Sequence, residues 1–286
     1  MSGLRPTGCH EPVSTGNPAQ ASPAPAPLAV LKFGSSVLAR PDDYREAAVV
    51  IAAEVARGQK VVAVVSAMGR TTDTLLAAAR SVTAAPPEAQ IGALLATGEE
   101  ASVALLTLAL VASGVRAAGV GASRVPVRTC GALDDAEPVH VDTGRIHRAL
   151  RTRDALVFPG FVGRDASGVP SLLGRGGSDL TALFLGDALG ASEVRLVKDV
   201  DGIFPEDPDG RDDLAPYAAL TWDSVRRLGG GVVQPKAIDY AERRQVRFRV
   251  TGPGGAGTWV GAPVADAAPA GCWPETAEPG PRVAER

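Results

Sequence analysis

Five short strings in this chain bring together residue types that handle small anions. In LKFGSSVL, Lys32 is followed by Gly34, Ser35 and Ser36. A glycine after an apolar run lets the backbone approach a phosphate, and an ammonium at a strand end can neutralise charge on a transferring group. The same residues also suit an ordinary strand-to-helix turn with a solvated lysine, and no Walker-type loop occurs in the sequence. SAMGRTTD, Ser66 to Asp73, offers the hydroxyls of Ser66, Thr71 and Thr72 beside Arg70, a set able to grip a small charged substrate. Alternatively, Thr71 or Thr72 caps a helix and Asp73 sits in its first turn.

GRGGSD, Gly174 to Asp179, runs into a helical segment. Gly176, Gly177 and Ser178 would present backbone N–H groups to an anion, and Arg175 adds a planar fork suited to a carboxylate. Asp179 is then placed to orient a lysine or to hold a nucleophile; the plainer alternative is an acid favoured by the helix dipole. KDVDGIFPEDP, Lys198 to Pro208, contains an Asp201-Gly202 turn whose acids face either a ribose, a metal or solvent. It is not a calcium loop, because the spaced acids and the closing glutamate are missing. The fifth string is TGEE, where Glu99 taken alone reads as part of a solvated helix face, and His140 and His147 have no ligand or nucleophile pattern around them.

These strings need a scaffold, and the chain supplies one by alternation. Apolar runs at Leu28 to Lys32, Lys60 to Ser66, Val115 to Val120, Ala155 to Pro159, Glu193 to Val197 and Val246 to Val250 read as strands. Helical patterns lie between them at Asp42 to Arg57, Thr72 to Arg80, Glu88 to Ser113, Thr143 to Arg151, Ser178 to Leu189 and Pro235 to Arg244. KVVAVVS has no polar alternation, so it should be a strand covered on both faces. The order implies a three-layer α/β/α sandwich with a mainly parallel central sheet and ligands at the carboxyl ends of its strands.

Composition excludes several classes. The 286 residues are 45% hydrophobic, enough for a sizeable core. Lys and Arg number 29 against 32 Asp and Glu, so no field exists to hold nucleic acid or an anionic membrane. Three separated cysteines support neither a disulfide framework nor a zinc site. The Pro- and Ala-rich stretches 1–27 and 261–286 read as disordered tails, and the first has no apolar segment of a signal peptide, so a cytoplasmic location is expected. Val103 to Ala112 is too short an apolar run to cross a bilayer and reads as a buried helix.

Taken in order, the motifs resemble the aspartate kinases of the amino-acid kinase family from about Val30 to Thr258. SAMGRTTD is similar to the family's substrate-side loop, Thr97 to Glu99 to its helix acid, LGRGGSD to its most diagnostic string and DVDGIFPEDP to its nucleotide loop. QVRFRV followed by GTWV is similar to the closing strand and the exit toward a regulatory region. The resemblance implies ATP-dependent phosphorylation of the side-chain carboxylate of L-aspartate, with Mg²⁺, on a substrate-side lobe (about 28–155) and a nucleotide-side lobe (about 156–260). It implies that Lys32 and Asp179 are catalytic and that Ser66, Thr72, Glu99 and Arg175 hold the amino acid. Gly34, Ser35, Ser36, Gly176, Gly177, Ser178, Lys198, Asp199 and Phe204 would face the nucleotide, no side chain is assigned as a metal ligand, and a homodimer is expected.

The sequence also departs from the family pattern. KFGSSV is one residue shorter than usual and looks more like the turn of glutamate kinases. Gly231 stands where an ATP-binding lysine is normal, Gln234 replaces a histidine, Asp209 an arginine and Phe204 a tyrosine. Lys198 occupies the place of a small hydroxyl residue and is expected to restore part of the lost charge, with Lys236 a second substitute. The paired regulatory domains of many aspartate kinases are not in the sequence, so feedback inhibition through them is not expected. Three alternatives stay open: a kinase of the same fold acting on glutamate or a specialised carboxylate, a weak homologue serving as a binding or regulatory subunit, and a dinucleotide-dependent dehydrogenase, against which GVGASR lacks the third glycine.

Overall fold

The computed structural model describes residues 26–208, 214–228 and 231–261. The tails therefore lie almost wholly outside the described residues, as does Asp209.

In chain order the first elements are β1 (Leu28–Phe33), α1 (Asp43–Ala56), β2 (Lys60–Val65), α2 (Thr71–Val82), α3 (Glu88–Ala112), β3 (Ala117–Gly119), β4 (Arg128–Cys130), β5 (Glu137–His140) and α4 (Thr143–Leu150). Then follow β6 (Ala155–Pro159), β7 (Val162–Arg164), β8 (Pro170–Leu172), α5 (Gly177–Leu189), β9 (Glu193–Val197), β10 (Ala219–Leu220), α6 (Trp222–Arg227), α7 (Pro235–Arg244), β11 (Phe248–Thr251) and β12 (Thr258–Val260). Eight strands form one sheet in the order β10-β12-β11-β9-β1-β2-β6-β3. The pairs from β11 through β9, β1, β2 and β6 to β3 are all parallel, and β12 runs antiparallel to β11. The expected architecture is thus present, with β2 in the interior between β1 and β6.

Because strand side chains alternate between faces, the apolar runs of β1 and β2 divide between two cores. Val30, Val62 and Val64 face one that includes Leu180, Leu183 and Ile238 of α5 and α7. Leu31, Phe33, Val61 and Val65 face another, built with Tyr44 and Ile51 of α1 and Leu106 and Leu110 of α3. Parity decides where the chemistry goes. Lys32 follows Val30 by two residues and Lys198 follows Leu196 by two, so both project on the α5 face at the carboxyl ends of adjacent strands.

Two features differ from the sequence expectation. A second sheet, ordered β5-β4-β7-β8, has strands of only three or four residues, too short to show alternation. The Val103 to Ala112 segment is not buried all round. It belongs to a 25-residue helix long and apolar enough to cross a membrane, whose Leu95, Glu99, Val103, Leu106 and Leu110 stripe is buried while Leu108 and Val111 are 67% and 56% exposed.

Candidate active site

At the carboxyl edge of the sheet, Asp179 sits in the first turn of α5, 4% exposed, between two lysines. Its Oδ1 lies 2.7 Å from Lys32 Nζ and its Oδ2 2.8 Å from Lys198 Nζ. Burial by itself raises the pKa of such a carboxyl, but the two ammonium groups outweigh it and hold Asp179 below the ordinary range. Lys198 is displaced below the usual lysine value by burial and by Lys32, against the opposing pull of Asp179. One buried carboxylate shared by two lysines leaves a net positive charge in a poorly hydrated place, which suits a polyanion.

Around this cluster the backbone is opened by glycine. Gly34 follows β1, and a Cβ there would fall 2.9 Å from Lys32 Nζ, so an alanine would fill the space beside the ammonium. Ser35 and Ser36 are exposed in the same turn, closed by Val37 and Leu38 N–H groups donating to the Gly34 carbonyl. On the opposite side, Gly174 and Gly176 both adopt left-handed backbone, φ 72° and 77°. A side chain at Gly174 would strike Asp135, and one at Gly176 would strike Gln234. Gly176 is the N-cap of α5 and offers no capping side chain; the Gly177 N–H donates to the Gly174 carbonyl at 3.0 Å, which leaves the Ser178 N–H at the uncapped helix start. Arg175, between these glycines, is exposed and does not join the lysine–aspartate cluster.

The second charged element is Glu99. It lies on the buried stripe of α3, four residues from both Leu95 and Val103, and is 2% exposed. Its Oε2 has no hydrogen-bond partner. Burial pushes its pKa up to about 8, against the opposing effects of the Ala67 backbone N–H and Lys32. Near it, Tyr44 and Ser102 share a 2.8 Å hydrogen bond within the core. Ser66 ends β2, its N–H donating to the Phe33 carbonyl across 3.1 Å. The capping alternative for Thr71 and Thr72 does not hold: the N-cap of α2 is Arg70 with no side-chain cap, and Thr71 Oγ1 donates back to the Met68 carbonyl. Thr72 is half-buried at this uncapped start.

The loop after β9 carries exposed Asp199 and half-buried Phe204. Asp201 accepts the Gly252 N–H at 3.0 Å and lies against Gly255, whose Cβ it would exclude, thereby fastening this loop to the turn after β11. Gly231 is exposed and brings no charge. Lys236 is not a substitute either, because its Nζ bonds Asp135 Oδ1 at 2.6 Å and the carbonyls of Asp135, Ala136 and Leu173. Gln234 packs over Gly176, where a glycine alone leaves it room. Among the described residues no group of three or more His, Cys, Asp or Glu could hold a metal ion.

Sequence reasoning missed Gly160, Phe161 and Thr181. A Cβ at Gly160 would lie 2.7 Å from Ser178 Oγ, so β6 meets the start of α5 there with no space to spare. Phe161 has φ 65°, a value no sequence pattern announces for phenylalanine.

Fold and site together define a doubly covered, mainly parallel α/β domain with a buried Lys–Asp–Lys cluster at the carboxyl edge of its sheet. Residues 27–252 match the amino acid kinase family, and this chain belongs to that family. It is 35% identical over 226 residues to the aspartokinase of Thermus thermophilus, covering 78% of this chain and 56% of that protein. The chain thus spans about half the length of such relatives. Among solved structures, aspartate kinase from Synechocystis superposes with a TM-score of 0.70 at 32% identity, covering 82% of this chain and 40% of that one. Escherichia coli aspartokinase III, solved with aspartate and ADP, gives a TM-score of 0.72 at 22% identity over 84% of this chain and 65% of that one, a likeness of fold.

Proposed function

We propose that this chain transfers the γ-phosphoryl group of ATP to the side-chain carboxylate of L-aspartate, giving 4-phospho-L-aspartate. The observation that carries this reading is the buried Lys32–Asp179–Lys198 cluster beside the uncapped start of α5. Asp179 fixes both ammonium groups, and these, with the N–H of Ser178 and the open turn at Gly34, Ser35 and Ser36, stabilise charge as it spreads over the transferring group. Asp199 and Phe204 flank the nucleotide. Mg²⁺ bound with the nucleotide would supply further charge neutralisation. A carboxylate acceptor is already ionised at neutral pH, so no general base is required.

On the acceptor side, Glu99 presents its unpartnered oxygen to the substrate ammonium, Arg175 takes the α-carboxylate, and Ser66 and Thr72 border the site. Glu99 gives this reading a pH signature. With its pKa raised by burial to about 8, it is mostly neutral at pH 6 and must lose its proton to bind an ammonium. Acceptor kcat/KM is therefore expected to rise about tenfold per pH unit up to roughly 8 and then level off. Glu99→Gln should abolish that slope and raise the acceptor KM about 10–100-fold at pH 8.5; a wild-type profile that is flat from pH 6 to 8 would refute the assignment. A panel of amino acids and other carboxylates, with hydroxylamine trapping the acyl phosphate, tests the acceptor itself: aspartate should give the highest kcat/KM, and a glutamate preference would overturn it.

The expected homodimer finds support on the outer side of α3. Ala101, Ala104, Leu108 and Val111 recur every three or four residues, all exposed, with no charged residue between Glu100 and Arg116. Such a stripe matches a second copy of itself across a two-fold axis. Wild type should sediment as a dimer and Leu108→Arg as a monomer; a monomeric wild type contradicts the proposal.

A further inference from the structure

We propose that Phe161 is a positioning residue for phosphoryl transfer, holding the Gly174–Ser178 loop from both ends through a strained turn. The proposal rests on the kinase reading above and adds a group outside all five motifs.

Three observations carry it. First, Phe161 sits in left-handed backbone, and the Val162 N–H donates to the Gly160 carbonyl at 2.7 Å, closing a three-residue γ-turn of the rare positive-φ kind. A phenylalanine persists there only if its surroundings enforce it. Second, both of its backbone polar groups are spent on the anion loop. The Phe161 carbonyl accepts the Leu173 N–H at 2.8 Å, immediately before the loop. Its N–H donates to Thr181 Oγ1 at 3.1 Å, just after the loop, and that hydroxyl donates in turn to the Gly177 carbonyl at 2.8 Å. Third, the ring lies against Gly177, where a Cβ would fall 2.8 Å from Phe161 Cδ2, and also packs on the small core of Leu95, Val162 and Leu172. Leu95 is one helical turn from Glu99 on the same stripe of α3.

The consequence is mechanical. The Ser178 N–H can stabilise a phosphoryl group only if the loop, closed by the Gly177 N–H donating to the Gly174 carbonyl at 3.0 Å, is fixed to within a fraction of an ångström. A misplacement of about 1 Å costs on the order of 10²-fold in rate. Phe161 supplies that fixation without touching substrate, and Thr181 completes it.

The test uses the full chain and three variants. Phe161→Gly relaxes the turn and removes the ring, Phe161→Tyr keeps the ring, and Thr181→Val removes the hydroxyl link. Expected are a kcat lowered about 10–100-fold in Phe161→Gly, a smaller loss in Thr181→Val, and near wild-type kcat in Phe161→Tyr. Calorimetry should show weaker Mg·ATP binding in Phe161→Gly and Thr181→Val but not in Phe161→Tyr, and acceptor KM should rise in the same two variants, because Arg175 belongs to the clamped loop. A merely structural role would lower the melting temperature and leave kcat and Mg·ATP affinity alone, and that result overturns the proposal. If Phe161→Gly fails to fold, Thr181→Val decides: unchanged kcat and Mg·ATP affinity in that variant refute the clamp. A wild type that binds Mg·ATP but forms no acyl phosphate would count against the kinase reading alone, because the Mg·ATP affinities of the variants still judge Phe161.

Discussion

Lys198→Ala is expected to lower kcat about 10²–10³-fold, the scale of losing one preorganised donor at a developing anion, while acceptor KM stays within about twofold. The argument starts from charge. Asp179 bridges Lys32 and Lys198 at 2.7 and 2.8 Å, so the cluster carries one net positive charge, and deleting Lys198 leaves a neutral pair. Neither of the other candidates can substitute, because Gly231 has no side chain and Lys236 is bound to Asp135 and three carbonyls. Acceptor binding is spared because Glu99, Arg175 and Ser66 lie on other elements. Steady-state kinetics at saturating aspartate and varied Mg·ATP measure the effect; unchanged kinetics would show that Lys198 is a bystander.

Asp179→Asn should do more damage, because it strikes stability and catalysis together. The substitution keeps size but removes the charge that neutralises two nearby lysines, of which Lys32 and Lys198 have side chains only 7% and 13% exposed. Removing one partner of a buried pair typically costs about 3–5 kcal/mol, enough to lower the melting temperature by roughly 10 °C in a domain of this size. With both ammonium groups released from their positions, kcat should fall by about 10³-fold or more. The pH dependence has a defined sign. Since Asp179 titrates below its unfolded value, its contribution to stability is present above about pH 4 and is lost as pH falls through the lower folded value. The Asn variant should lack that acid limb in a melting-temperature series. A variant as stable as wild type at pH 7 would contradict the bridging role.

The parts of the fold that were legible in sequence are those with a long period. KVVAVV announced a doubly covered strand, and α5, β9 and α7 began within one residue of where their patterns placed them. Lys32 and Lys198 could be placed on one face by counting from Val30 and Leu196, once the strands were known to be parallel neighbours. Glu99 was readable too, by a signal that went unused: an acid four residues from both Leu95 and Val103 lies on the buried stripe of its helix. Other features left no trace. The strands of the small sheet are shorter than the alternation that would reveal them. Asp201, read only as a loop acid open to a ribose, a metal or solvent, accepts a backbone N–H fifty-one residues away, while Lys236, early in its helix, is bound by Asp135 a hundred and one residues earlier. Pairings of that range depend on the tertiary fold, which no local window contains. Phe161 is the extreme case, since its conformation is imposed by Leu173 and Thr181 from another part of the chain.

The central claim is that an oxygen of the aspartate side-chain carboxylate attacks the γ-phosphorus at the two-lysine cluster. L-aspartate carrying ¹⁸O in that carboxylate, incubated with the chain and Mg·ATP and then quenched with hydroxylamine, tests it directly. Hydroxylamine cleaves the acyl C–O bond, so the released phosphate should carry one ¹⁸O atom in amounts matching the ADP formed. Unlabelled phosphate would mean that water, not the carboxylate, was the acceptor, and would contradict the account.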